Sequence, residues 1–305
     1  MREILDLPHH LERTGVSEEL RSLILAYAHT ALDAQHNFPK YLRGTIGNRN
    51  KYGEAVSKLD EWVNGYLCDN LVKTGLVRKI YSEELRHPID NSAKAPFVVT
   101  LDPLDGSSNI ISNNAFGSIM GVYSEDLPQP GRKLVAAVCK LYGPVNTLIY
   151  SVGKGTHEFV KHYDGDGNAQ FFLLAENMRL PDKPAVFGIG GDPLEWEPGF
   201  LLFAKDLFRK EKLKVRYSGT FVADLSQILH HGGIFAYPKT RKNPCGKLRL
   251  TYEAQPMALI IEQAGGASWS GKATLLETEG SSVDERTPLY MGNRNLMEKL
   301  KKAIR

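Results

Sequence analysis

The sequence predicts a layered fold of the α/β or α+β class, long enough for one large domain or two packed subdomains. Helix-like and strand-like segments alternate along its 305 residues, which is the pattern of sheets covered by helices. The hydrophobic share of 42% and the charged share of 24% are those of ordinary globular proteins rather than disordered chains. A change of composition at 180–184, where two prolines occur, predicts a boundary between subdomains 1–180 and 181–305.

The first hundred residues are expected to begin with helices. Ser17 can cap a helix whose apolar residues recur at helical spacing from Leu20 to Leu32. The expected elements are a helix over 17–37 ended by Pro39, a loop over 44–53 rich in Gly and Asn, and a helix over 54–71.

Short runs rich in β-branched and aromatic residues predict strands in the rest of the chain. In the first half these runs cover 78–82, 97–101, 118–123, 134–138 and 147–151, followed by a hairpin near 153–159. In the second half strands at 185–188, 213–217 and 232–238 alternate with helices at 200–208, 221–229, 256–264 and 296–304.

Charge and composition argue against several classes of protein. The net charge is only +3 and Lys and Arg are spread along the chain, so no nucleic-acid partner is expected. There is no apolar run long enough to span a bilayer and no secretory signal, so no membrane association is expected. The odd set Cys68, Cys139 and Cys245 lacks metal-site spacing and indicates reduced thiols of a cytoplasmic protein.

Two carboxylates stand at the centre of the most informative stretch, 101–110. Asp102 and Asp105 follow the apolar strand 97–101, and Pro103 stiffens the segment between them. The two side chains could therefore converge on one point. A plain polar turn uses the same residue types, but other acidic positions point to the same site.

The residues after Asp105 are those of a phosphate cradle. Gly106 permits close approach of the backbone, and its amide can join those of Ser107 and Ser108 in an anion-binding nest. Carboxylates beside a phosphate would repel it unless cations lay between them. The stretch therefore predicts divalent metal and phosphate bound together, with Mg²⁺ as the natural ion.

Other acidic residues can complete this site, although each has a simpler interpretation. Glu83 and Glu84 end the strand at 78–82 and could both reach one metal only at an irregular strand end; a surface acidic pair is the alternative. Glu253 lies just before the helix at 256–264, where it could also serve that helix dipole. Asp60 alone would be a solvated helix charge.

Taken together, these stretches closely resemble the class I fructose-1,6-bisphosphatase family over almost the whole chain. The match rests on the eight residues Asp-Pro-Leu-Asp-Gly-Ser-Ser-Asn, which related inositol monophosphatases carry in a shorter form ending in Gly-Thr. It is supported by four further stretches: 82–84, 216–217, 233–238 and 246–266. The resemblance implies an α-β-α-β-α sandwich of the sugar phosphatase type, with two subdomains that share one active site.

The resemblance also implies a set of metal ligands and catalytic residues. Two or three Mg²⁺ ions, with Mn²⁺ as a substitute, would be held by Glu83, Glu84, Asp102, Asp105 and Glu253, together with the carbonyl of Leu104. Glu84 and Asp60 match the positions that activate the attacking water. Glu54, Asn109 and Arg249 are further candidates without an assigned role.

The substrate implied by the resemblance is fructose 1,6-bisphosphate, cleaved at its 1-phosphate in gluconeogenesis or a sugar-phosphate cycle. Asp105, Gly106, Ser107 and Ser108 would hold the phosphate that is cleaved. Tyr217, Tyr237 and Lys247 match residues that bind the phosphate that stays. Arg216 matches an arginine that reaches a neighbouring subunit, which implies a homo-oligomer, with a tetramer favoured.

The chain departs from the family pattern at three places. Glu54 replaces an aspartate, which affects the number of metals. A glycine-rich stretch at 188–191 replaces a phosphate-binding Asn-Glu-Gly-x-Tyr loop. Pro96 and Phe97 replace a Lys-Tyr pair of AMP-inhibited members, and the N-terminal pattern keeps only Thr14 and Gly15, so AMP inhibition is not expected.

Two alternatives stay open at this point. One is a sedoheptulose-1,7-bisphosphatase or an enzyme with both substrates, because the altered loop at 188–191 would contact the distal phosphate. The other is a catalytically silent sugar-phosphate sensor, which the intact acidic set argues against. An inositol monophosphatase is less favoured, since Arg216, Tyr237 and Lys247 would have no second phosphate to bind.

Overall fold

The computed structural model describes residues 5–41, 45–49, 55–163 and 166–304. Within these ranges the helices are α1 to α7: Leu7–Arg13, Glu18–Tyr41, Lys58–Lys73, Pro198–Arg209, Phe221–His231, Gln255–Gln263 and Arg294–Ala303. The strands are β1 to β17: Thr45–Arg49, Ala55–Ser57, Val77–Ser82, Ile89–Asp90, Phe97–Asp105, Phe116–Tyr123, Leu134–Tyr142, Thr147–Ser151, His157–Tyr163, Ala169–Ala175, Val186–Ile189, Lys214–Val215, Gly233–Tyr237, Leu248–Arg249, Ala267–Trp269, Arg286–Thr287 and Leu289–Gly292.

Two large sheets organise these elements. The first has eight strands in the order β10-β9-β8-β7-β6-β5-β3-β4, and the second has five in the order β12-β11-β13-β17-β15. In the eight-stranded sheet β3 and β5 are parallel neighbours, whereas β5 pairs antiparallel with β6. The carboxyl ends of β3 and β5 therefore meet at one edge of the sheet.

Three hydrophobic clusters separate the layers. Alternate residues of β5 face opposite sides: Val99 packs with α1, α2 and α3, and Val98 packs with α5 and α6. The second cluster continues to one face of the five-stranded sheet, and the third joins the other face of that sheet to α4 and α7. The result is the α-β-α-β-α sandwich, so the predicted layered fold is confirmed. None of the described helices is long and apolar enough to cross a membrane.

Several predicted element boundaries are wrong, and each has a local cause. The first long helix, α2, includes Pro39 and runs to Tyr41, because Phe38 packs its last turn against the rings of Phe116 and Tyr142. The predicted loop at 44–53 contains β1, which pairs with β2. The short helix α1, capped by the Asp6 carboxylate, was not predicted.

The helix expected over 54–71 begins at Lys58. Ser57 caps it, and Ser57 and Asp60 exchange side-chain and backbone hydrogen bonds in a capping box. Glu54 lies outside the described residues. The strand expected over 213–217 is limited to Lys214–Val215.

Candidate active site

A cavity of about 320 Å³ opens where β3 and β5 end, facing the start of α5 and the turn before α6. The described residues that line it are Glu83, Glu84, Asp102, Leu104, Asp105, Gly106, Ser107, Ser108, Gly219, Phe221, Tyr237, Lys247, Leu248, Arg249 and Glu253. Most of the site residues predicted from the sequence therefore line this one cavity.

A cluster of three carboxylates forms the floor of this cavity. Glu83, Asp102 and Glu253 each offer an oxygen, and these oxygens all lie within 4.8 Å of one another. Asp102 and Glu253 are each only 5% exposed. Burial, reinforced by the nearby Glu83 charge, raises the pKa of both carboxyl groups well above their usual range. Such a crowded acidic site is stabilised by a cation, and all-oxygen donors suit Mg²⁺ or another hard divalent ion.

Each carboxylate is oriented by the backbone around it. Asp102 Oδ1 accepts a 3.0 Å bond from the Leu104 amide, and Glu253 Oε2 accepts a 2.6 Å bond from the Arg249 amide. Glu253 lies in a turn of π-helix, Leu250–Ala254, that leads into α6. The widened turn directs Glu253 towards the cluster rather than along the helix.

Arg249 brings a positive charge to the acidic floor. Its Nε lies 3.3 Å from Oε1 of Glu83, and the residue is 5% exposed. This ion pair offsets part of the repulsion among the carboxylates without neutralising all of it. The candidate that sequence reasoning left without a role is therefore part of the site.

Asp105 stands beside the cluster and is held by α5. Its Oδ2 accepts a 2.7 Å hydrogen bond from the Val222 amide. Burial raises the pKa of Asp105 to about 7, although the amides of Val222 and Phe221 oppose that rise. Because Asp105 lines the cavity, it can face both a cation and a phosphate.

Glu84 is positioned by the irregular end of β3. The Glu84 amide donates to Ser82 Oγ at 3.3 Å, and Ser82 Oγ donates in turn to Asn64 Oδ1 at 2.7 Å. Because the strand ends at Ser82, Glu83 and Glu84 both reach the cavity. This is the irregular end that the sequence interpretation required.

The predicted phosphate cradle at 106–108 has a backbone shape that Gly106 makes possible. Gly106 has φ of 80°, and a Cβ there would overlap the side chain of Thr220. A 3-10 turn follows over Ser107–Asn109. The backbone of the cradle therefore lies close to Thr220, the residue that precedes α5.

A further part of the cavity lining, here called the distal wall, holds the predicted distal-phosphate residues. The hydroxyls of Tyr217 and Tyr237 lie 2.5 Å apart, and Lys247 Nζ lies 5.1 Å from the centre of the Tyr237 ring. Lys247 and Tyr237 line the cavity. Tyr217 is connected to the cavity by the hydrogen bond between its hydroxyl and that of Tyr237.

Four predicted residues that the structure describes do not line the cavity: Asp60, Asn109, Arg216 and Tyr217. Asp60 is buried, and its Oδ2 accepts a 2.9 Å bond from the Ser57 amide; it is not among the described residues that line the cavity. Arg216 is exposed, and its Nη1 donates to the Val215 carbonyl at 3.3 Å. Arg216 is not among the described residues that line the cavity.

The glycine-rich stretch 188–191 has a packing role. A Cβ on Gly190 would overlap the Tyr237 ring, and a Cβ on Gly188 would overlap the Arg216 carbonyl. These glycines let Tyr237 and the chain at Arg216 lie close to β11. The sequence showed the glycines but not the ring and carbonyl that need them.

Sequence reasoning missed the contribution of the segment before α5. Gly219 and Phe221 line the cavity, and Thr220 contacts the cradle. The signal was a Ser-Gly-Thr run at 218–220 directly before a predicted helix, which is typical of a helix start near an anion.

Comparison with known proteins identifies relatives over nearly the whole chain. The N-terminal domain model of fructose-1,6-bisphosphatase matches residues 13–175, and the C-terminal domain model matches residues 180–305. A fructose-1,6-bisphosphatase class 1 of Methanocorpusculum labreanum is 38% identical over 299 residues, 98% of this chain and 91% of that protein. One from Synechococcus sp. is 37% identical over 86% of this chain and 82% of that protein.

A solved structure has the same fold. The holo form of Leishmania major fructose-1,6-bisphosphatase superimposes with a TM-score of 0.90 at 29% identity, covering 98% of each chain.

Proposed function

This chain belongs to the class 1 fructose-1,6-bisphosphatase family, and on that premise we propose that its cavity hydrolyses the 1-phosphate ester of fructose 1,6-bisphosphate to give fructose 6-phosphate and phosphate. One observation carries the proposal. A buried acidic cluster lines the same cavity as the glycine-based cradle proposed for phosphate, and Lys247 and Tyr237 line that cavity as well. A ligand with phosphates at both ends fits this arrangement.

The residues of the acidic floor fit divalent cations. Glu83, Glu84, Asp102, Asp105 and Glu253 would hold them, with the Leu104 carbonyl as a further ligand, and we propose Mg²⁺ as the ion. Two or three ions are proposed, and Mn²⁺ is a possible substitute. When bound, such ions activate water and neutralise charge on the phosphate.

The chain's own residues would divide the remaining work. The amides of Gly106, Ser107 and Ser108 would bind the reacting phosphate and place it over the acidic floor. Glu84 would accept the proton of the attacking water as general base. Asp60 matches the second position for this task, although it is not among the described residues that line the cavity.

Lys247, Tyr237 and Tyr217 would hold the distal phosphate and so fix the sugar. A Lys ammonium and two phenol hydroxyls offer charge and hydrogen bonds to a phosphate dianion. The position of Arg216 on the surface supports a role in a neighbouring subunit, so we propose a homo-oligomer with a tetramer favoured. The three cysteines form no disulfide within the described ranges, and a cytoplasmic location stays a prediction.

The test is phosphate release from purified protein. Fructose 1,6-bisphosphate, sedoheptulose 1,7-bisphosphate and inositol 1-phosphate are compared with Mg²⁺, with Mn²⁺ and after chelation, each with and without AMP. We expect metal-dependent turnover of the fructose ester that AMP does not inhibit. Faster turnover of the sedoheptulose ester would favour the alternative substrate. Sugar-phosphate binding without turnover would favour the sensor and overturn the proposal.

A further inference from the structure

Residues 216–220, here called the 216–220 loop, connect β12 to α5 and run beside the cavity. Gly219 lines the cavity, and the Tyr217 hydroxyl bonds to Tyr237 on the distal wall. At the other end of the loop, Thr220 touches the cradle at Gly106. The loop therefore contacts both walls between which a bisphosphate would bind.

Asp224 holds this loop from the side of α5. Its carboxylate is 1% exposed, and Oδ1 accepts a 2.7 Å hydrogen bond from the Ser218 amide. The Gly219 amide also favours the ionised carboxylate, although burial raises the pKa of Asp224 to about 6. A buried acceptor directed at two successive amides fixes the path of the backbone between them.

Asn109 holds the same loop from the side of the cradle. Its Nδ2 donates to the Ser218 carbonyl at 2.9 Å and to Thr220 Oγ1 at 2.7 Å. The Ala115 carbonyl lies 3.0 Å from the same nitrogen, so the two N–H groups of Asn109 are shared among three acceptors. The peptide groups on either side of Ser218 are thus held from both directions, at the amide by Asp224 and at the carbonyl by Asn109.

Neither Asp224 nor Asn109 is among the described residues that line the cavity. Their bonds instead couple the cradle turn, Ser107–Asn109, to the loop that carries Tyr217. We infer that Asp224 and Asn109 are positioning residues that set the distance between the cradle and the distal wall, and thereby select a sugar with two phosphates over one with a single phosphate. This inference rests on the proposed function.

The physical reason is that two phosphates on one sugar have a limited range of separations. When both subsites are correctly spaced, binding of the first phosphate delivers the second at high effective concentration. If the loop shifts, this advantage is lost and Tyr217 is displaced from the distal phosphate. A ligand that carries the distal phosphate then binds more weakly, whereas a ligand that needs only the cradle loses little.

The test compares Asp224→Ala with the wild type on substrates that share the reacting end. With fructose 1,6-bisphosphate we expect KM to rise about tenfold and kcat to fall by less than about threefold. With fructose 1-phosphate, which lacks the distal phosphate, kcat/KM should change by less than about twofold. Asp224→Asn keeps an acceptor for the Ser218 amide, so its KM for fructose 1,6-bisphosphate should be close to the wild-type value.

A second measurement does not depend on turnover or on one variant. Binding of fructose 6-phosphate by calorimetry should weaken about tenfold in Asp224→Ala and in Asn109→Ala. Ile228→Ala, a buried change on the same helix, should lower the melting temperature while leaving this affinity unchanged.

Equal losses on both fructose esters, or an unchanged bisphosphate KM in Asp224→Ala, would overturn the inference. A wild-type protein that does not cleave fructose 1,6-bisphosphate would instead overturn the proposed function. In that case weakened binding of fructose 6-phosphate would still support the positioning role.

Discussion

The Val222 amide donates a 2.7 Å hydrogen bond to Oδ2 of Asp105, and this bond joins the first turn of α5 to the end of β5. The positive end of the helix dipole thus faces a carboxylate that lies beside the acidic floor. The pKa of Asp105 is nevertheless raised to about 7, because burial outweighs the amide bonds. The floor is therefore built to receive positive charge.

The first prediction follows from the raised pKa values of Asp105, Asp102 and Glu253. The folded state binds more protons than the unfolded state above pH 4, so stability contributed by these groups falls as pH rises through the folded pKa. We expect metal-free protein to melt at a lower temperature at pH 8.5 than at pH 6.5, and Mg²⁺ to reduce the difference.

Two histidines also affect stability near this window, so the contribution of Asp105 is isolated by substitution. The raised pKa of His230 acts in the same direction as the carboxyl groups, whereas burial lowers the pKa of His10 to about 4 and acts in the opposite direction. Asp105→Asn should show a smaller decrease between the two pH values than the wild type, measured by thermal unfolding after chelation. A metal-free protein equally stable at both pH values would contradict the prediction.

The second prediction concerns Glu84 as general base. Glu84→Gln keeps the size of the side chain but cannot accept the proton of water, so kcat should fall about 10²- to 10⁴-fold. Binding of fructose 1,6-bisphosphate, measured by calorimetry, should change little. Glu61→Gln, an exposed change on α3, is the matched control. Near-normal turnover by Glu84→Gln would remove Glu84 from the mechanism.

The acidic floor shows which parts of a site can be predicted from sequence. Asp102 and Asp105 are near neighbours on one strand, so their convergence is a local property. Glu83 joins them because Ser82 pairs with Leu101 between parallel strands, which places two carboxyl ends side by side. The layered fold was predictable because helix-like and strand-like segments alternate along the chain. The apolar run 97–101 predicted a buried strand, and every residue of β5 is buried.

Other parts of the site could not be predicted from local pattern. The Val222 partner of Asp105 is a backbone amide 117 residues away, and a backbone amide has no signature in the sequence. Asp60 was placed on a helix, but its capping bond to Ser57 depended on where that helix begins. Gly190 was visible as a glycine, whereas the Tyr237 ring against it depends on the pairing of β11 with β13.

The third prediction tests the packing of Gly190 against Tyr237. A Cβ at position 190 would overlap the ring, so Gly190→Ala should destabilise the protein by about 1–3 kcal/mol. It should also raise KM for fructose 1,6-bisphosphate by displacing the Tyr237 hydroxyl.

Gly65→Ala, in α3 with open space around the new methyl group, is the control and should instead stabilise the protein by about 0.5–1 kcal/mol. Urea unfolding and steady-state kinetics measure both effects; similar stability changes in the two variants would be evidence against this packing.

The fourth prediction tests the neighbouring-subunit role of Arg216. Arg216→Ala should raise KM for fructose 1,6-bisphosphate more than for fructose 1-phosphate. Mixed oligomers of Arg216→Ala with Glu84→Gln should be more active than either variant alone, because an intact Glu84 can then meet an intact Arg216 across the interface. Arg209→Ala mixed with Glu84→Gln is the control. No recovery in oligomers proven to be mixed by mass would place the role of Arg216 elsewhere.

The last prediction concerns the pair of Glu158 on β9 and His230 on α5, which joins the eight-stranded sheet to the helix layer beneath it. His230 Nε2 lies 2.9 Å from Glu158 Oε2, and Nδ1 lies 2.8 Å from the Ser226 carbonyl. Both partners are acceptors, and this arrangement favours the imidazolium form, in which each ring nitrogen carries a proton. The bond to Glu158 raises the pKa of His230 above its ordinary value.

A His with a raised folded pKa contributes stability that is fully present below its unfolded pKa and is lost as pH rises through the folded pKa. At pH 6, His230→Gln should therefore cost about 1–2 kcal/mol in the free energy of unfolding, and the cost should be smaller at pH 8.5. Urea unfolding at the two pH values measures this difference, with the exposed neighbour His231→Gln as control. A cost of His230→Gln that is the same at both pH values would mean that the ring is neutral in the folded protein.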